Sequence, residues 1–325
     1  MRSKLILLIP FIGVVFAGVS SEVLAAKNNF PNKPIHLYVG WGAGGGVSMM
    51  ARVISQRAGE ILGQPLLVVP KPGAGGTICN DFVSKSKPDG YTLTVTTLAN
   101  NGSALLLHKL PYTIDDFEYL GMFAYLPMIL FVNSESQWKT LEELVAYAKG
   151  HPNELKYSSN GVGASAHIST ALFCKEANIQ SVHVPMKSDP EVIASILGGH
   201  CQFSMGFLTT VLPVKDGGKV RFLATPSSQR IEWFPNVPTF HEKGLSVFYN
   251  PWYGIGAPKG LPKEVSEKLR DAFAKTFQDK EVHEMLKKLG LVPTYKSAEE
   301  YSNFVHSEFN GLQETFKKIG LPIAK

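Results

Sequence analysis

Apolar residues along this chain come in two rhythms. Short continuous runs alternate with longer stretches in which they recur every three or four positions. PIHLYVGW (34–41), PLLVVPK (65–71) and YTLTVTTL (91–98) are runs of the first kind and predict buried strands. Between them, SMMARVISQRAGEILG (48–63) has helical spacing and stops at Gly63, a residue suited to a helix C-terminus. TICNDFVSKSK (77–87) predicts a second helix, closed by the turn Pro88-Asp89-Gly90. Strand and helix in alternation, with Gly-rich loops after the strands, predict parallel α/β architecture.

The middle repeats the theme. LPMILFVN (126–133) predicts a strand and TLEELVAYAKGHP (140–152) an amphipathic helix, with Thr140 and Glu143 placed for a capping box. LKYSSNGVGAS (155–165) predicts a strand entering a polar loop, followed by helix AHISTALFCKEA (166–177), strand SVHVPM (181–186) and helix DPEVIASILGGH (189–200). CQFSMGFL (201–208) and VRFLATP (220–226) complete a second unit as strands. The last third offers one aromatic strand, FYNPWYGIGAP (248–258), and then helices at 262–279, 280–290 and 297–320. That is too few strands for a third unit, so this segment is expected to brace the first. The chain then crosses between two lobes more than once.

The start is different in kind. A basic MRSK precedes an apolar run over residues 5–20, and SEVLAAK places Val23 and Ala25 at the −3 and −1 positions of a cleavage site. Residues 1–25 therefore read as a secretory signal peptide. The run is short for a membrane span, and an exported chain is expected.

The 325 residues are 44% hydrophobic and 18% charged, which suits two globular domains. The formal charge of +5 falls to +4 once Arg2, Lys4 and Glu22 are removed. No basic stretch is interleaved with aromatics, so nucleic acid is not an expected partner. Cys79, Cys174 and Cys201 lie far apart and form no disulfide framework. They read as small buried hydrophobes, although one pair could be oxidised outside the cytoplasm. The nine histidines make no metal-binding pattern, and no cofactor is expected.

The chemistry-bearing segment is VGWGAGGGVS (39–48), where Gly40, Gly42 and Gly45 match G-x-G-x-x-G. A dinucleotide site also needs an acid at the end of the second strand. Here that strand ends Pro70-Lys71-Pro72, and Glu60 lies on the preceding helix, so the nucleotide reading fails. What remains is bare backbone at a helix start, which favours an anion, a carboxylate as readily as a phosphate. Pro72-Gly73-Ala74-Gly75-Gly76-Thr77 and Ser158-Ser159-Asn160-Gly161-Val162-Gly163-Ala164-Ser165 are two further loops of this type. No catalytic motif appears. Ser165 with His167 is the one nucleophile–base pair the spacing offers, so the chain is read as a binding protein, with an exported hydrolase as the alternative.

Taken together, the loops resemble those of the periplasmic solute-binding proteins of tripartite tricarboxylate transporters, the Bordetella uptake gene family. The resemblance runs through VGWGAGGG (39–46), LGQPLLVVPKPGAGGTI (62–78), KPDGYTL (87–93), LKYSSNGVGASAH (155–167), SVHVPMK (181–187), ILGGHCQFSM (196–205), FPNVPTFHEKGL (234–245) and WYGIGAPKGLP (252–262). It implies a two-lobed, type II-like Venus flytrap with a ligand cleft. Lobe 1 would comprise 27–126 and 250–325, and lobe 2 would comprise 127–249. It implies a monomeric periplasmic protein that captures a small carboxylate for membrane permease subunits, or for a sensor if no transporter accompanies it.

Carried over by position, the binding residues would be Trp41, Gly42, Ala43, Gly44, Gly45, Gly46 and Ser48 from the first loop, and Gly73, Ala74 and Gly75 from the second. Ser159, Asn160, Gly163, Ala164, Ser165 and His167 would come from the third, with Trp41, Phe207 and Trp252 as walls. Many relatives read GGGTD where this chain has Gly44-Gly45-Gly46-Val47-Ser48, and F-D-N where it has Met205-Gly206-Phe207. Both changes remove an acid, which predicts an aromatic or C4-type dicarboxylate ligand rather than an amino acid.

Overall fold

The structure, a computed structural model, describes residues 29–324. The signal-peptide reading of residues 1–25 falls outside that range. No helix among the described residues is long and apolar enough to cross a membrane.

The chain begins with strand β1 (Ile35–Val39), helix α1 (Gly46–Leu62), β2 (Leu66–Pro70), α2 (Thr77–Ser84), β3 (Thr92–Thr97), the short α3 (Ala104–Leu107) and β4 (Phe117–Tyr125). It continues through β5 (Met128–Asn133), α4 (Leu141–Gly150), β6 (Lys156–Ser159), α5 (Ser165–Glu176), β7 (Val182–Pro185), α6 (Asp189–Leu197), β8 (Phe203–Phe207), α7 (Leu208–Lys215) and β9 (Val220–Ala224). It ends with β10 (Trp252–Pro258), α8 (Lys263–Phe277), α9 (Lys280–Lys288), β11 (Val292–Lys296) and α10 (Ala298–Ile319).

Two sheets result, in the orders β11-β4-β10-β3-β1-β2 and β7-β6-β8-β5-β9. Both are mixed, not parallel as the strand–helix alternation predicts. β1 runs parallel to β2 and β3, while β10 runs antiparallel to β3 and β4. β6 runs parallel to β7 and β8, while β5 runs antiparallel to β8 and β9. The cause is the double crossing. β5 and β10 each start where the chain enters the other sheet, Met128 beside Phe207 at the end of β8 and Tyr253 beside Thr97 at the end of β3. They must therefore run the opposite way. The strands and helices the apolar pattern does not reveal are α3, β4, α7 and β11.

Local rules account for most boundaries. α1 buries Val47, Met50, Ala51, Ile54, Ala58 and Leu62 on one face and ends at Gly63 with φ 71°. Thr140 accepts the Glu143 N–H at 3.2 Å, but the Glu143 carboxylate takes the Lys139 N–H, so the box predicted there is half closed. Ser297 and Glu300 form a complete box at the start of α10. That helix lies on β4 and also meets α5 of the second lobe, tying the lobes together. All three cysteines are buried and free.

Trp252 corrects one expectation. It is fully buried rather than a wall of the cleft, packed edge-on against Tyr301 and Phe304 with ring centroids 5.5 and 6.0 Å away. β10 is covered on both sides, so alternation along it sends Trp252 into the core and Tyr253 the other way. Trp252→Phe is therefore expected to lower the unfolding free energy by roughly 1–3 kcal/mol with ligand affinity unchanged. Denaturant titration and calorimetry on the same variant check this, and an affinity loss without a stability loss would restore the wall role.

Candidate ligand-binding cleft

The cleft follows from strand direction. β1 and β2 are parallel neighbours, so the loops leaving them emerge side by side. They also touch. A Cβ on Gly40 would lie 2.4 Å from the Gly76 Cα, a backbone-to-backbone approach only glycine permits. The Trp41 ring covers Gly76, whose φ of 91° is again a glycine conformation. The first glycine of the apparent nucleotide motif thus serves loop-on-loop packing. β6 delivers the third loop, and there Gly163 has φ 75° and no room for a side chain against Leu107.

These loops border a cleft of about 560 Å³. From the first lobe it is lined by Trp41, Gly46, Val47, Met50, Ala74, Gly75, Thr97, Ser103, His108 and Tyr253, among others. The other lobe contributes Asn160 to Ser165, Asp189, Phe207 and Thr209. A more open depression of about 680 Å³ between α1 and β2 lies on the outer edge of the first sheet and receives none of these loops.

Helix starts set the electrostatics. α1 opens at Gly45 and α5 at Ala164, and neither has a side-chain cap. Away from the cleft, α4, α9 and α10 are capped by Thr140, Asp279 and Ser297. The first-turn N–H groups of an uncapped helix are unpaired within it and carry the positive end of its dipole. No Lys or Arg lines the cleft. Any anion there would therefore be met by backbone N–H groups rather than by a Lys or Arg side chain.

The chain from 50 to 321 matches the model of the tripartite tricarboxylate transporter family receptor. It belongs to that family of periplasmic solute-binding proteins. The UPF0065 protein in the gbd 5' region of Cupriavidus necator is 33% identical over 308 residues, 93% of this chain and 92% of the relative. The solved structure of R. palustris Rpa4515 with adipate is similar at TM-score 0.80 and 26% identity, covering 90% of this chain and 99% of that one. MatC from Rhodopseudomonas palustris with bound malate is similar at TM-score 0.75 and 26% identity, covering 88% and 99%.

In this receptor the expected site residues divide. Trp41, Gly46, Ala74, Gly75, Asn160, Gly163, Ala164, Ser165 and Phe207 line the cleft. Gly42, Ala43, Gly44, Gly45 and Gly73 belong to the same loops but are not among the lining residues. Ser48 is fully buried and donates to the Gly42 carbonyl at 2.8 Å, pinning the first loop rather than facing a ligand. Gly206 has no room for a side chain, since a Cβ there would lie 2.7 Å from Val211 and 2.9 Å from Phe131. An acid the sequence reading did not single out, Asp189 at the first turn of α6, nevertheless lines the cleft. Its carboxylate accepts from Thr210 Oγ1 at 3.2 Å. Burial pushes its pKa up, while the Thr210 hydroxyl and Asn160 amide favour the charged form.

Ser159 and His167 lie beneath the third loop. His167 Nδ1 accepts the Gly163 N–H at 2.9 Å, and its ring stacks on His183 at 3.9 Å between centroids. Ser159 donates to the Gly161 carbonyl at 3.0 Å, so its 2.7 Å contact with His183 Nε2 places the proton on that nitrogen. His183 is then no base for Ser159. Ser165 accepts from the Tyr249 hydroxyl at 3.4 Å, and no hydrogen bond joins it to His167. Neither serine is an activated nucleophile in this arrangement.

Burial, and then the neighbouring His183, lowers the His167 pKa from 6.5 to about 4. Between those values the unfolded chain binds more protons than the folded one. The His167 contribution is therefore intact above 6.5 and is lost as the pH falls toward 4. The loss reaches about 3 kcal/mol. Denaturant titrations at neutral and acid pH should show His167→Gln losing less stability on acidification than the parent protein. Equal losses would contradict the buried neutral imidazole.

Proposed function

We propose that this receptor captures one small organic carboxylate in the periplasm and delivers it to the membrane subunits of a tripartite transporter. The carrying observation is the pair of uncapped helix starts, at Gly46–Val47 of α1 and Ala164–Ser165 of α5, bordering one cleft from two lobes. A carboxylate completes such starts as a capping side chain would, and ordered water can extend the network. The absence of Lys and Arg from the lining fits a ligand held by backbone.

The adipate- and malate-bound relatives support a carboxylate ligand. Trp41, Phe207 and Tyr253 give this cleft flat apolar walls, which favours a ligand with an apolar or aromatic body between its polar ends. The protein would act as a monomer, closing its lobes on the ligand without turning it over.

A thermal-shift screen of aromatic acids, aliphatic diacids and substituted monocarboxylates tests this reading. A true ligand at a hundred times its Kd adds about 2.7 kcal/mol of stability and raises the midpoint by several degrees. Mass spectrometry should recover the compound unchanged. Failure of every carboxylate, or recovery of a hydrolysed product, would contradict the proposal.

A further inference from the structure

Asp189 brings a negative charge into the lining of the same cleft. Asp189 has no cationic partner among the described residues, and one of its oxygens accepts from Thr210. Beside it, Asn160 Oδ1 is buried without a hydrogen-bond partner. The Asn160 amide group favours the charged form of Asp189, which fits its nitrogen facing the carboxylate and its oxygen free. Across the cleft Tyr253 has its pKa raised, first by burial and then by the Asp189 charge, which puts Asp189 within electrostatic reach of the first lobe. A carboxylate without a cationic partner and an amide oxygen without a donor therefore line the same cleft as the uncapped starts of α1 and α5. A second ligand carboxylate beside Asp189 would meet a like charge and an acceptor-only amide oxygen.

We propose that Asp189 is a specificity-determining residue that, with Asn160, takes a cationic amino group of the ligand and rejects a second carboxylate. The ligand is then a zwitterion or other amino-bearing monocarboxylate whose carboxylate faces the helix starts of α1 and α5. This rests on the carboxylate-capture reading and narrows it. It reverses the preference drawn from Ser48 and Gly206, because the acid absent at those positions is supplied from α6. An ammonium group satisfies both acceptors with its three N–H donors, while a hydroxyl has one donor and leaves the carboxylate charge uncompensated.

Calorimetric titration of a matched panel tests this. Straight-chain acids of graded length, each with a terminal ammonium, hydroxyl or carboxylate, and the α-amino acids are titrated into the wild-type protein and Asp189→Asn. The variant keeps the side-chain shape, and a thermal unfolding curve checks that it is folded. The wild type is expected to bind its best amino-bearing acid at least about tenfold more tightly than the matching diacid. Asp189→Asn should weaken the amino acid by about tenfold or more and strengthen the diacid. Equal or tighter wild-type binding of diacids, unaltered in Asp189→Asn, overturns the role of Asp189 and leaves carboxylate capture standing. No binding of any carboxylate by the folded wild type overturns both.

Discussion

Everything at the cleft depends on the contact between Gly40 and Gly76. Parallel pairing of β1 with β2 brings their exit loops side by side, but only two residues without side chains let the backbones meet. That contact seats the Trp41 ring on the second loop and sets the start of α1 at the cleft's edge. Ser48, buried beneath, holds the first loop by its bond to Gly42. The charge-bearing surface is therefore backbone, fixed by packing, with its polar groups turned toward the space between the lobes.

The second lobe answers with a loop of the same design and one acid. The β6–α5 turn gives another uncapped helix start, supported by Gly163, His167 and the His183 ring. The start of α6 adds Asp189. The cleft thus combines uncapped helix starts with one carboxylate that has no cationic partner, and has no Lys or Arg in its lining.

Much of this was legible in the sequence. The three Gly-rich loops, the helices they open and the crossing of the chain between units follow from periodicity and turn residues. α3 is a single short turn of helix, and three longer elements were hidden for physical reasons. β4 is buried on both faces and joins the next strand with Pro127 as the main break, so no alternation marks it. β11 is a short, half-buried edge strand. α7 carries Pro213 inside it and threonines at its start, a composition that reads as non-helical.

At the site, sequence position identified the loops but not which way their residues face. Ser48, from the resemblance, and Trp252, as an aromatic wall, were expected to meet the ligand, yet one staples the loop and the other fills the core. Asp189 stands among KSDPEV, where an acid in the first turn of a helix is ordinarily explained by the dipole. Only the placement of the α6 start at the cleft between the lobes makes it a lining residue. The central claim, that backbone N–H groups at the helix starts hold the ligand carboxylate, is tested most directly by a crystal structure of the protein with its bound acid. The account predicts carboxylate oxygens within hydrogen-bonding distance of N–H groups at the start of α1 or α5, directly or through one water. A carboxylate held by a lysine or arginine, or bound outside the cleft, would contradict it.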